Sequence, residues 1–234
     1  MGKYTKYDIK VPDVNRSFSQ GDYKYSNPST IKANIGVLNK IVSEYKNFVN
    51  IWGEEFEIDN SILVSFIATE SGGLNLKPNK YDATGLMQVT PKAVWETIAK
   101  WKVMVDSPLS SKAVSFFNKA IPSSKNYNPN ILPNATILNE IRSALQNNSQ
   151  FNIAIGTAII RWLLEAFKEN DVTNINKVMV SYNAGYYSMR NKVKGNQTTE
   201  QLLKNKSIPL ESRSYLLKML GVNGFMELYF KNIK

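Results

Sequence analysis

The chain has 234 residues, 43% of them hydrophobic, and 29 Lys and Arg against 19 Asp and Glu, a net charge of +10. Cysteine and histidine are both absent, which excludes disulfides, thiol chemistry, Cys/His zinc sites and a Ser-His-Asp triad and leaves Asp, Glu, Lys and Tyr as ordinary acid–base groups. The length suits one domain with an appendage; the basic surface either favours a polyanion (nucleic acid, anionic membrane, the acidic polymers of bacterial envelopes) or serves solubility alone.

Residues 1–30 are rich in Tyr, Lys, Ser, Asn and Asp and are broken by Pro12, Gly21 and Pro28. They read as an extended N-terminal arm with a short strand at Tyr7–Val11. Met1–Ser19 has no apolar core flanked by small residues, so no secretory signal is expected, and no stretch is long and apolar enough for a transmembrane segment. The main domain is expected over 31–234. Ile31, Ile35, Leu38, Ile41, Val42, Tyr45 and Val49 fall at helical spacing, with Gly53 as the stop. The acidic patch Glu54–Asp59 reads as a solvated connection. Asp59 or Asn60 can cap a helix from Ser61 to about Ser71, stopped by Gly72-Gly73.

Residues 74–90 hold turn formers and predict a loop with a small β-hairpin. Pro91 opens a helix through Val94, Trp95, Ile98 and Trp101. Helical pieces broken by Pro108, Pro122, Pro129 and Pro133 follow. Phe151–Phe167 is apolar nearly all round and predicts a helix buried at the domain centre. Val178–Ala184 predicts a short helix ending at Gly185, 186–206 a basic polar loop, and Pro209 a last helix to Leu220 closed by Gly221. The fold class is mainly α.

Glu70 shares a helical stripe with Leu63, Phe66 and Ile67, at the C-terminal end of its helix. Desolvation and the negative end of the helix dipole both favour its neutral form, and a neutral carboxylic acid near pH 7 can protonate a leaving oxygen. A surface Glu that merely ends the stripe is the plainer alternative. Gly85-Leu86-Met87-Gln88 places an amide after a tight turn, suited to hydroxyl and acetamido groups, or is a turn that only packs. Tyr182-Asn183-Ala184-Gly185 sets a ring and an amide beside small residues at a helix end, either to receive a sugar face or as a simple helix terminus.

In this order, Glu70-Ser71, Gly85–Gln88, Tyr182–Gly185 and Glu211-Ser212-Arg213-Ser214-Tyr215 resemble the soluble lytic transglycosylases of the goose-type-lysozyme-like glycosidase family. The segment from Asn152 to Leu164 is similar to that family's central helix, so the resemblance spans roughly residues 55–220. It implies a lysozyme-like α-helical domain with a small β-hairpin, acting on peptidoglycan glycan strands. By the same resemblance Glu70 is the catalytic acid/base. Ser71, Met87, Gln88, Tyr182 and Asn183 shape the site or contact substrate, Tyr215 supports the carboxyl, and no cofactor is needed. Thr90 stands where goose-type hydrolases tend to carry Asp, which favours a one-carboxylate, substrate-assisted route with 1,6-anhydro products. A hydrolase in which Asp82 positions water, and a virion component that grips peptidoglycan without cutting it, are the alternatives. Departures from the family are Tyr81-Asp82-Ala83-Thr84 in place of a Gly/Ala-rich turn, Ser181 where Ala is common, and a long segment over 101–140 that reads as an insertion.

Arg190, Lys192, Lys194, Lys204 and Lys206 read as a solvated face, so nucleic acid is not an expected partner. The composition suits a phage or mobile-element protein. Action at the cell wall without a signal peptide implies a virion-associated protein, or one held in the cytoplasm until released or exported, with a virion or secretion machine as partner for the arm.

Overall fold

The computed structural model describes residues 8–10, 28–101, 109–168, 172–193, 195 and 197–233. Most of the expected arm and residues 102–108 of the expected insertion lie outside the described residues. The chain is mainly helical. Strand β1 (Asp8–Lys10), inside the expected Tyr7–Val11, pairs in parallel with β2 (Val172–Asn174). The helices are α1 (Pro28–Glu55), α2 (Asn60–Ser71), α3 (Pro91–Trp101), α4 (Ser111–Ala120), α5 (Ala135–Asn147), α6 (Ser149–Ala166), α7 (Ile175–Ala184), α8 (Tyr186–Met189), α9 (Thr199–Lys204), α10 (Leu210–Leu220) and α11 (Phe225–Asn232), with a 3₁₀ turn at Pro122–Asn126.

Helix α2 sits against α1, α10 and α11. Asp59 caps its start, accepting from the Ser61 amide at 2.7 Å, and Gly72 ends it in the left-handed region at φ 63°. Every residue of α2 except Asn60 and Glu70 is buried, so the apolar stripe of the sequence is in fact a helix enclosed on all sides. Each fully buried Leu, Ile or Phe there contributes about 1.5–3 kcal/mol relative to an exposed one. Beyond Asn60 in its first turn, Glu70 is thus the polar exit from an otherwise closed helix. Helix α6 is buried nearly throughout, as its composition predicts, and packs against α1, α3, α5 and α7.

Several expectations are corrected. Gly53 does not end α1, which runs on to Glu55; a Cβ there would lie 2.7 Å from Asn60 Oδ1 and 2.8 Å from Ile58 O, so the glycine permits a close approach. The acidic patch is half core: Phe56 and Ile58 are buried, and Glu57 pairs with Arg161 of α6. In place of a β-hairpin the described residues hold an isolated antiparallel bridge, Thr84 to Val89. The turn formers before it and Pro91, which opens α3, leave no residues to lengthen the pair. Residues 186–206 carry α8 and α9, the latter held by a capping box between Thr198 and Gln201. Helix α10 is not the last, because α11 follows and buries Phe225, Met226 and Leu228.

Candidate active site

Four segments converge on one pocket of about 730 Å³: the end of α2, the Asn79–Thr90 loop, the end of α7 and one face of α10. Ala93 of α3 and Ile159 of α6 add apolar wall. Glu70 enters from the last turn of α2. Its Oε1 accepts from the Tyr215 hydroxyl at 2.8 Å, which leaves Oε2 to carry an acid proton. Burial pushes the carboxyl up to about 7; the Tyr215 hydrogen bond and the Lys218 ammonium pull it back part of the way, and Glu211 raises it. Tyr215 and Tyr182 are held well above the usual phenol value, first by burial and then by the Glu70 charge. Both therefore stay protonated donors at neutral pH.

Of the residues expected at the site, Glu70, Gln88, Tyr182, Asn183 and Tyr215 line this pocket together. The Tyr182 hydroxyl donates to Met87 O at 2.9 Å, Asn183 Oδ1 accepts from Ser212 Oγ at 2.7 Å, and Gln88 Nε2 donates to Gly85 O at 2.9 Å. Phe66 packs against both tyrosines, with ring centroids 5.0 Å from Tyr182 and 6.3 Å from Tyr215. These contacts fix the ring positions before any ligand arrives.

Two expected contact residues are placed elsewhere. Met87 is fully buried, and a Cβ on Gly156 would lie 2.4 Å from its sulfur, so it packs on α6 rather than lining the pocket. Ser71 is buried and its hydroxyl donates back to Ile67 O at 3.1 Å. Asp82 also lies outside the lining; both its carboxylate oxygens accept from Arg142, at 2.7 and 2.6 Å. An acid engaged in that way is not free to position water. Thr90 lines the pocket while its hydroxyl accepts from the Ala93 amide, capping α3.

Glu211, Ser214 and Lys218 join Tyr215 in the lining and were not expected there. Their spacing along α10 is the signal that was open to sequence reasoning, since steps of three and four residues share a helical face. The Lys218 ammonium donates to Thr69 O at 2.9 Å, at the negative end of α2. Burial lowers its pKa and Glu70 raises it again. Lys218→Met is expected to move the Glu70 titration midpoint to higher pH, while Lys218→Arg keeps it near the parent value. Infrared measurement of the carboxyl band against pH checks this, and an unmoved midpoint in Lys218→Met contradicts it.

Among the described residues no group of three or more acidic side chains could hold a metal ion, and no helix is long and apolar enough to cross a membrane. No protein-family model, curated protein or solved structure matches the chain.

Proposed function

We propose that the chain is a lytic transglycosylase with a lysozyme-like helical domain that cuts the β-1,4 bond between N-acetylmuramic acid and N-acetylglucosamine in peptidoglycan. One observation supports this reading above the others: a carboxyl with a pKa of about 7 stands in an open pocket, hydrogen-bonded to a protonated tyrosine. At neutral pH a large share of it is acid, and its conjugate base is still strong enough to take a proton back.

The steps balance on one residue. Glu70 gives its proton to the bridging oxygen as the bond to the anomeric carbon breaks. The acetamido oxygen of the muramic acid shields the positive carbon. Glu70, now a carboxylate next to Tyr215 and Lys218, takes the proton of the C6 hydroxyl as that oxygen bonds to the anomeric carbon. The products are a 1,6-anhydro ring and a free N-acetylglucosamine 4-hydroxyl, and no water is consumed. Gln88, Asn183 and the Tyr182 ring supply polar and aromatic contacts to the sugars. The net charge of +10 suits an acidic wall. The N-terminal arm is proposed to meet the virion or secretion machinery that delivers the enzyme to the wall.

Glu211 keeps a second reading in view. It is a second carboxylate in the pocket, near enough to raise Glu70, and hydrolases of the paired-carboxylate kind use such a partner to activate water. Mass spectrometry of fragments released from purified peptidoglycan separates the two. Anhydro ends are expected; reducing ends would assign the hydrolase, and release of no fragments at all would leave a wall binder in place of an enzyme.

A further inference from the structure

Tyr81 is the most exposed aromatic ring among the described residues, at 71%, and yet it lines the same pocket as Glu70. The backbone that carries it is tightly organised. Asn79 Oδ1 accepts from the amides of Tyr81 at 2.8 Å and Ala83 at 3.2 Å, while the Asn79 amide donates to Ala83 O at 3.1 Å. The Asn79 side chain also donates to Oε1 of Gln88, another lining residue, at 3.3 Å. Asp82, in the left-handed region at φ 66°, is clamped by Arg142 of α5. A ring on so fixed a loop loses little freedom on meeting a ligand. The Lys80 ammonium stands over one face of the ring, 4.8 Å from its centroid, and is itself exposed.

We propose that the face of Tyr81 that Lys80 does not cover is a stacking platform for an N-acetylhexosamine ring at the mouth of the Glu70 pocket, with the Lys80 ammonium on the other face to meet a carboxylate on the peptide stem of the same strand. Tyr81 has this part only if the pocket takes a glycan, as proposed above. The geometry suits the ligand: the C–H face of a sugar packs on an aromatic face, and the polar edge of the sugar stays in water. The exposed ammonium over the opposite face adds attraction for an anion that falls with salt. Gln88, tied to the same Asn79, then meets the polar edge of the sugar that the ring supports.

The experiment is calorimetric binding to the full chain carrying Glu70→Gln, so that ligand is held uncut. The two probes are chitohexaose, which is neutral, and a purified uncross-linked glycan fragment bearing stem peptides. Tyr81→Ala is expected to weaken both by about five- to tenfold, and Tyr81→Trp to restore both. Lys80→Gln is expected to weaken only the peptide-bearing fragment, and only at low salt. Thermal melts of each variant establish that the fold is intact. Unchanged affinity of Tyr81→Ala for both probes, beside a parent that binds, overturns the platform alone. A Lys80→Gln protein that loses both probes equally overturns the assigned part of Lys80. A parent that binds neither probe overturns the platform together with the glycan assignment it rests on.

Discussion

Glu70→Gln is expected to lower the rate of wall cleavage by at least the 10²–10⁴-fold that general acid–base help supplies, and at the same time to stabilise the protein above neutral pH. The two effects have one cause. The carboxyl titrates near 7 in the folded chain and near 4.5 when unfolded. Its folded value is raised, so the stability it contributes is complete below pH 4.5 and is lost as pH rises through 7. At pH 8 the ionised carboxylate costs the folded state about 3 kcal/mol relative to low pH. Gln has no charge to bury and can still accept from Tyr215. The variant should therefore melt several degrees above the parent at pH 8 and close to it at pH 4. Turbidity loss of purified cell wall and melts at the two pH values check both halves. A fully active Glu70→Gln ends the catalytic assignment, and equal melting at both pH values contradicts the burial of the charge.

Asn152→Ala is expected to be the most damaging single change outside the pocket. Asn152 is fully buried on α6. Its Oδ1 accepts from the Met87 amide at 2.8 Å, and its Nδ2 donates to Thr84 O at 2.9 Å and Leu145 O at 3.1 Å. One side chain thus ties the Thr84–Met87 turn to α6 and to the end of α5. Removing it strands the buried Met87 amide and Leu145 carbonyl at about 1–3 kcal/mol each, while Thr84 O keeps the Val89 amide, so a loss of about 2–5 kcal/mol and on the order of 10 °C in Tm is expected. The fit also explains Gly85, where φ is 80° and a Cβ would lie 2.0 Å from Asn152 Nδ2. Urea denaturation checks the effect; a variant within 1 kcal/mol of the parent, as for an ordinary surface change, would contradict it.

How much of this was legible before the structure depends on the residue. The burial of α6 followed from composition alone, since a segment apolar on every face has only one place to go. Glu70 was legible from its position at the end of an apolar helix, and the structure sets it in a pocket with Gln88, Tyr182, Asn183 and Tyr215. Met87 and Ser71 misled because adjacent residues in a turn or helix point in different directions: Gln88 lines the pocket while Met87 packs on Gly156. Asp82 looked available because its partner, Arg142, is 60 positions away, and sequence carries no mark of such pairing. Asn152 was visible as a polar residue in an apolar run, but its three acceptor and donor partners were not. Gly53 read as a stop because glycine more often ends a helix than admits a neighbouring chain. Helix α11 was missed because the glycine that ends α10 also looked like the end of the ordered pattern.

The proposed chemistry needs a carboxyl that keeps its proton close to neutral pH. The most direct measurement is a carbon-13 NMR titration of the Glu70 carboxyl in the full chain, with the resonance assigned by its absence in Glu70→Gln. A midpoint near pH 7 is expected; a midpoint near 4.5, the value of a solvated glutamate, would contradict it.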